Sequence, residues 1–144
     1  MMLVERETAS EEETEAFAAE LALQVTAPLV ILLDGDLGAG KTTFTRGFVG
    51  ALPGGAGVLV QSPTFALART YATTPQVHHL DLYRLDSGVE RALEELGIID
   101  MLSDDHAFAL VEWPRDLSLA GARVARVTFT DKGVGGRLIK VELP

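Results

Sequence analysis

The residues best suited to chemistry in this sequence form a glycine-rich loop. Gly35, Gly40, Lys41 and Thr42 fill the pattern G-x-x-x-x-G-K-[ST], which binds nucleotide phosphates. Backbone N–H groups of such a loop point at phosphate oxygens, the lysine reaches the β- and γ-phosphates, and the hydroxyl is a ligand for Mg²⁺. The sequence therefore predicts a nucleoside triphosphate site. Its predicted phosphate-binding residues are Asp36, Leu37, Gly38, Ala39, Gly40, Lys41, Thr42 and Thr43.

Such a loop needs a strand before it and a helix after it. The apolar run 29–33 is typical of a buried strand, and residues 42–52 are predicted to form a helix that ends before Pro53. The first turn of a helix carries N–H groups without intrahelical partners and the positive end of the helix dipole, so it attracts anions. The order of these elements therefore supports the prediction of a phosphate site.

Two acidic residues are candidates to complete this site. Glu112 follows the apolar run 107–111 and precedes a proline by two residues, so it is predicted at the end of a buried strand. Open α/β sheets bind ligands at the carboxyl ends of their parallel strands. Asp81 is the competitor, because it shares one face of an alternating strand with His79. Either carboxylate suits Mg²⁺, which prefers oxygen ligands.

Thr64 and Trp113 are further candidates for the same site. A proline-containing loop that presents Thr64 to the γ-phosphate would become ordered with triphosphate and relax after hydrolysis. Trp113, the only tryptophan, is either part of the core or a ring that packs against that loop. The local sequence leaves both alternatives open.

Composition and charge limit the class of protein. The 144 residues are 47% hydrophobic and 23% charged, which predicts one globular domain over residues 1–144. No apolar run approaches a membrane span of about 20 residues. The chain has no cysteine, which excludes disulfides and thiolate metal sites and is typical of a reducing cytosol. The formal net charge of −9 argues against broad binding of nucleic acid by this chain alone.

The rest of the chain is predicted to alternate helices and strands. Ser10 and Glu13 are spaced as a capping box before an apolar stripe at helical spacing. Residues 107–111 lack alternation, which favours a central strand covered on both faces. The remaining predicted elements are hairpins over 65–85 and 123–143 and a helix over 88–96. The predicted fold is therefore α/β, a three-layer P-loop nucleoside triphosphate hydrolase fold whose mainly parallel central sheet has antiparallel hairpin additions.

Four sequence blocks, in this order and spacing, resemble the TsaE (YjeE) family. They are residues 35–43, Ser-Pro-Thr-Phe at 62–65, His-Leu-Asp-Leu-Tyr-Arg at 79–84, and Glu-Trp at 112–113. The resemblance covers residues 1–113, and the remainder carries no motif. Two positions depart from the family pattern, because Arg115 stands where an acidic or polar residue is more usual and His78 adds a second histidine.

The resemblance implies a bacterial cytoplasmic ATPase that uses ATP and Mg²⁺ and is needed for threonylcarbamoyladenosine modification of tRNA. A protein of this kind binds the TsaD–TsaB pair and hydrolyses ATP so that the complex turns over. It meets tRNA only through that complex and does not associate with a membrane. Carried onto this sequence, Lys41 binds phosphate, Thr42 is a ligand for Mg²⁺, and Glu112 serves the metal and hydrolysis. Asp81 supports Mg²⁺ or the attacking water, and Thr64 belongs to a switch loop.

Two other functions fit a phosphate-binding loop. A small-molecule kinase would need an acceptor pocket and an arginine-rich lid, and neither is evident among the 12 lysine and arginine residues. A nucleotide-gated binding module would bind ATP or ADP, would change its affinity for a partner with the nucleotide, and would show no turnover. The chain has no guanine-reading N-K-x-D motif, which favours ATP over GTP.

Overall fold

A computed structural model describes residues 2–36, 38–63, 66–85, 94, 97–115 and 117–144. Within these residues the strands are β1 (Met2–Thr8), β2 (Leu29–Asp34), β3 (Ala68–Tyr71), β4 (Gln76–Asp81), β5 (Ala107–Glu112), β6 (Val124–Gly133) and β7 (Gly136–Leu143). The helices are α1 (Glu11–Ala22), α2 (Lys41–Ala51) and α3 (Ile98–Leu102). None of these helices has the length and apolar character needed to cross a membrane.

All seven of these strands belong to one sheet, in the order β1-β7-β6-β2-β5-β4-β3. The four central strands, β6, β2, β5 and β4, are mutually parallel. The outer strands pair antiparallel, with β3 on β4 at one edge and β7 and β1 beyond β6 at the other. The mixed α/β class and the two antiparallel hairpins are therefore confirmed, and the carboxyl ends of the parallel strands lie side by side.

Three of the four parallel strands, β2, β4 and β5, are buried on both faces of the sheet, whereas β6 alternates between buried and exposed residues. In β2, Leu29, Ile31 and Leu33 contribute to the core on one face, whereas Val30 and Leu32 contribute to the core on the other. Successive side chains of a strand point to opposite faces, so a strand covered on both sides needs an unbroken apolar run. All six residues of β5 are buried, which confirms the prediction of a central strand there.

Helices α1 and α2 pack closely on the same face of the sheet. Phe44 of α2 makes edge-to-face ring contacts with Phe17 of α1 and Phe129 of β6, at centroid distances of 6.4 and 5.7 Å. Gly47 permits the close approach, because a Cβ there would lie 2.2 Å from the carbonyl oxygen of Glu15. This packing sets the start of α1 beside the start of α2.

The start of α1 has the predicted capping box. The hydroxyl of Ser10 accepts a hydrogen bond from the backbone N–H of Glu13 at 3.2 Å, and the carboxylate of Glu13 accepts one from the N–H of Ala9 at 3.0 Å. The Ser10 hydroxyl thus satisfies a backbone donor that the helix leaves without a partner, and Glu13 satisfies the N–H of the residue before the cap.

Some elements differ from the sequence prediction. Strand β1 was not predicted, because only one of its seven residues is buried and charged residues interrupt its alternation. It nevertheless pairs along its length with β7. Strand β4 ends at Asp81 rather than at residue 85, and α2 begins at Lys41 rather than at residue 42. The helix predicted over 88–96 lies outside the described residues apart from residue 94.

Candidate functional site

The glycine-rich loop lies between β2 and α2, as the sequence predicts. Gly38 and Gly40 have φ angles of +74° and +108°, a region that side chains with a Cβ rarely enter. Gly40 is also the N-cap of α2, where no side chain caps the helix and the first turn has no acidic residue. Helix termini of this kind present backbone N–H groups and positive potential to an anion. The loop is therefore suited to binding an anion.

Lys41 lies buried across this loop. Its ammonium group donates hydrogen bonds to the carbonyl oxygens of Gly35 at 2.6 Å and Asp36 at 2.8 Å. Its Nζ is 4.2 Å from the ring centroid of Trp113. Burial lowers the pKa of Lys41, and nearby carboxylates, Glu112 above all, only partly oppose this effect. A buried ammonium held by neutral carbonyls would gain from an anionic partner.

Glu112 and Thr42 meet at the end of β5. The Thr42 hydroxyl lies 3.1 Å from each carboxylate oxygen of Glu112 and donates to them, although the two residues are 70 positions apart in sequence. Glu112 is 3% exposed. A hydroxyl and a carboxylate in contact provide the hard oxygen ligands that Mg²⁺ prefers, so this donor set fits that ion.

Asp81 occupies the register position beside Glu112 on β4. The Ser62 hydroxyl donates to its Oδ2 at 2.5 Å, and the backbone N–H of Tyr83 donates to its Oδ1 at 2.9 Å. Asp81 is thus tied to the segment that precedes Thr64, and Thr64 itself lies outside the described residues. The structure therefore places both candidate acids side by side at the carboxyl ends of two neighbouring parallel strands.

Trp113 is half-buried and covers the lysine. Its indole packs against Tyr83 with ring centroids 4.9 Å apart, and its backbone has a φ angle of +55°. Of the two alternatives for this tryptophan, a residue buried in the core does not fit this position. Its predicted contact with a switch loop stays a prediction.

These residues line one cavity of about 360 Å³ at the carboxyl edge of the sheet. The predicted site residues in its wall are Gly38, Gly40, Lys41, Thr42, Thr43, Asp81, Glu112 and Trp113. Asp36 and Ala39 are not among the lining residues: the carbonyl oxygen of Asp36 accepts a hydrogen bond from Lys41, and Ala39 is buried. Leu37, like Thr64, lies outside the described residues. The wall also contains Ser10, Glu11 and Thr14 from the α1 end of the chain.

Two residues of this region had no predicted role in the site. His79 places its Nε2 2.6 Å from Oε2 of Glu112. Its position beside Asp81 on one face of a strand was a usable signal, because a buried polar side chain needs a partner. Arg137 gave no local signal, because it stands in a strand without a motif and reaches a loop about 100 positions away.

Arg137 lines the same cavity and holds the glycine-rich loop from β7. Its guanidinium donates to the carbonyl oxygens of Ala39 at 2.9 Å, Gly38 at 2.8 Å and Gly136 at 2.9 Å. Its side chain is 19% exposed, and Asp131 lies 3.4 Å away. Because a planar guanidinium has several donors in fixed directions, one side chain fixes two successive carbonyls of the loop.

The fold and site together define a mixed α/β protein with a glycine-rich loop between a central strand and a helix. The sequence profile of a family described as "Threonylcarbamoyl adenosine biosynthesis protein TsaE" matches residues 8–138 of this chain. The chain belongs to the TsaE family. The resemblance drawn from the four sequence blocks is therefore confirmed.

Individual relatives agree with this assignment. The chain is similar to the tRNA threonylcarbamoyladenosine biosynthesis protein TsaE of Rickettsia bellii, with 42% identity over 105 residues that make up 72% of this chain and 69% of that protein. It is 41% identical to the protein of the same name from Bacillus subtilis over 108 residues, 74% of this chain. The match spans 63% of the length of that B. subtilis relative. A crystal structure of YdiB from B. subtilis is similar with a TM-score of 0.75 and 29% identity, covering 99% of this chain and 86% of that one.

Proposed function

We propose that this protein is a P-loop ATPase required for threonylcarbamoyladenosine modification of tRNA. It binds ATP and Mg²⁺ in the cavity at the carboxyl edge of the sheet, binds the TsaD–TsaB complex, and hydrolyses ATP to support turnover of that complex in the cytoplasm. The observation that carries the proposal is the convergence of Lys41, Thr42, Asp81 and Glu112 on one cavity beside the uncapped start of α2.

The loop and Lys41 bind the phosphates. Backbone N–H groups at the start of α2 meet phosphate oxygens, and Lys41 exchanges its hydrogen bonds to Gly35 and Asp36 for bonds to the β- and γ-phosphates. An ammonium already desolvated by burial interacts strongly with an anion, because little water remains to screen the charges. Binding therefore uses groups that the fold has already positioned.

Thr42, Glu112 and Asp81 would hold Mg²⁺, which supplies positive charge beside the transferred phosphoryl group. Glu112 is the better candidate to orient the attacking water, since its carboxylate already contacts the Thr42 hydroxyl. Asp81 supports the same region through Ser62. Such catalysis works mainly by positioning and charge stabilisation, so hydrolysis by the chain alone is slow until a partner completes the site.

The charge of the chain supports docking on protein rather than on tRNA. With 21 acidic and 12 basic residues, the formal net charge is −9. Nucleic-acid binding draws most of its affinity from basic contacts to phosphates. A subunit that docks on TsaD–TsaB, where the tRNA is bound by other subunits, needs no basic surface.

The test is steady-state ATP hydrolysis by the protein alone and then with purified TsaD–TsaB from the same organism. We expect strong stimulation by the complex. Lys41→Ala should abolish nucleotide binding, whereas Glu112→Ala should retain binding and lower stimulated hydrolysis by about 100-fold or more. Lys140→Ala and Glu142→Ala, on the exposed side of β7, are the matched controls.

The possible results separate the proposed function from its alternatives. ATP binding without turnover, even with TsaD–TsaB, would leave a nucleotide-gated binding module. ADP formation that depends on an added small-molecule acceptor would instead indicate a kinase. Unchanged stimulated turnover in Glu112→Ala would refute the role given to that residue.

A further inference from the structure

We propose that His79 is a positioning residue that fixes the carboxylate of Glu112, and that Tyr71 holds the other side of its imidazole. The inference rests on the proposed function, in which Glu112 serves the metal and hydrolysis. It assigns a purpose to the fully buried imidazole of His79 and to the buried Tyr71 beside it.

The imidazole of His79 is completely buried and has a partner on each nitrogen. Its Nε2 lies 2.6 Å from Oε2 of Glu112, and its Nδ1 lies 3.1 Å from the hydroxyl of Tyr71. An ionised carboxylate only accepts hydrogen bonds, so we assign the proton to Nε2. Nδ1 of the same ring then accepts from the Tyr71 hydroxyl at 3.1 Å, which is nearer than the other acceptor of that hydroxyl, the carbonyl oxygen of Gln61 at 3.5 Å. Each of the three groups therefore constrains the next.

Tyr71 is suited to the donor role. Burial raises the pKa of its hydroxyl, so the group stays protonated at neutral pH. Its ring lies beside the imidazole with centroids 5.9 Å apart. The hydrogen bonds thus run from β3 through β4 to β5, three neighbouring strands whose register the sheet fixes.

This arrangement distinguishes the two oxygens of Glu112. Oε2 accepts from both His79 and Thr42, whereas the Thr42 hydroxyl is the described contact of Oε1. The imidazole therefore holds the carboxylate plane, and Oε1 is the oxygen presented to a cation or to water. Residues that orient a metal ligand in this way typically change metal affinity by about 10- to 100-fold when they are replaced.

Two substitutions of similar size separate positioning from folding. In His79→Gln the amide group lies as far from the backbone as Nε2 does, so it can still donate to Glu112. In His79→Asn the amide lies at the distance of Nδ1, so it can meet Tyr71 but not Glu112. Tyr71→Phe removes only the hydroxyl and serves if His79→Asn does not fold, which thermal melting of each variant reveals.

The experiment compares the affinity of the full chain for adenylyl imidodiphosphate in EDTA and in Mn²⁺, by calorimetry. We expect His79→Asn to leave the metal-free affinity within about twofold of wild type and to weaken binding with Mn²⁺ by about tenfold, the lower end of the range for such residues. His79→Gln should bind with Mn²⁺ as tightly as the wild type does, and Tyr71→Phe should lose less of this affinity than His79→Asn does. Equal behaviour of the Gln and Asn variants, or equal losses with and without metal, would overturn the inference.

A proton NMR spectrum of the nucleotide-free chain gives a second readout that needs no metal. The Nε2 proton of His79 should appear as a downfield, slowly exchanging resonance that moves upfield in Glu112→Gln. Its absence from the wild-type spectrum would contradict the assigned hydrogen bond. Failure of the proposed function would be seen differently, as a wild-type chain that binds no nucleotide in either buffer.

Discussion

Replacing Arg137 tests whether β7 controls the glycine-rich loop. The guanidinium holds the carbonyl oxygens of Gly38 and Ala39 at 2.8 and 2.9 Å. Because a trans peptide points its N–H away from its carbonyl, the bond to Ala39 also fixes the direction of the Gly40 N–H. Without Arg137 the loop would spend part of its time with these peptides turned, and apparent affinity falls with the population of the competent form.

The magnitude follows from the two hydrogen bonds. A hydrogen bond contributes about 1 kcal/mol net, and water can replace part of the contact because the side chain is 19% exposed. Loss of both bonds in Arg137→Ala thus costs about 2 kcal/mol, which weakens ADP binding about 30-fold. Arg137→Lys keeps the charge but can reach only one carbonyl, so we expect a loss of about fivefold.

The assay is calorimetric titration with ADP at about 0.15 M and about 0.5 M salt, because the screening of exposed charges differs strongly between these two salt concentrations. Arg126→Ala, on the exposed side of β6, is the matched control and should bind as the wild type does. A wild-type affinity in Arg137→Lys would mean that charge alone matters. An affinity within twofold of wild type in Arg137→Ala, with a lowered melting temperature, would refute the reasoning and leave Arg137 a role in stability only.

Two further predictions concern stability. Burial lowers the pKa of Lys41 below 10.5, so between the folded pKa and 10.5 the unfolded chain binds more protons than the folded chain. Raising the pH through that window should therefore increase the free energy of unfolding of wild type relative to Lys41→Met. The same pH dependence of the unfolding free energy in both proteins, measured by urea denaturation, would contradict this. Gly47→Ala should destabilise the fold by about 1–3 kcal/mol because its Cβ would collide with the Glu15 backbone. Gly50→Ala, in the same helix with open space around it, should stabilise by about 0.5–1 kcal/mol, and urea denaturation of both variants checks the pair.

Local sequence patterns predicted most of the fold. The apolar runs of β2 and β5 each report double-sided burial within five or six residues, so no knowledge of distant partners was needed. Strand β1 lacks such a signal, because it is stabilised by pairing with β7 rather than by burial of its own side chains. Its existence depends on residues more than 100 positions away.

The candidate site was predictable in the same measure. Lys41 and Thr42 follow from one contiguous motif, and Glu112 from the strand that it ends. The contacts of His79 and Arg137 depend on which strands are neighbours in the sheet, an order that the pattern of a single sequence does not encode. These contacts are therefore set by the order and register of the strands, which the motifs do not reveal.

The separation of the site residues along the chain has a consequence for biosynthesis. Thr42 meets a carboxylate 70 residues later, and the loop carbonyls meet Arg137 98 and 99 residues later. As the ribosome extends the chain, the glycine-rich loop is made before Glu112 and Arg137 are translated. A ligand that binds only the folded state stabilises only that state. The nucleotide binding proposed above would therefore favour chains in which β7 has been synthesised and has joined the sheet.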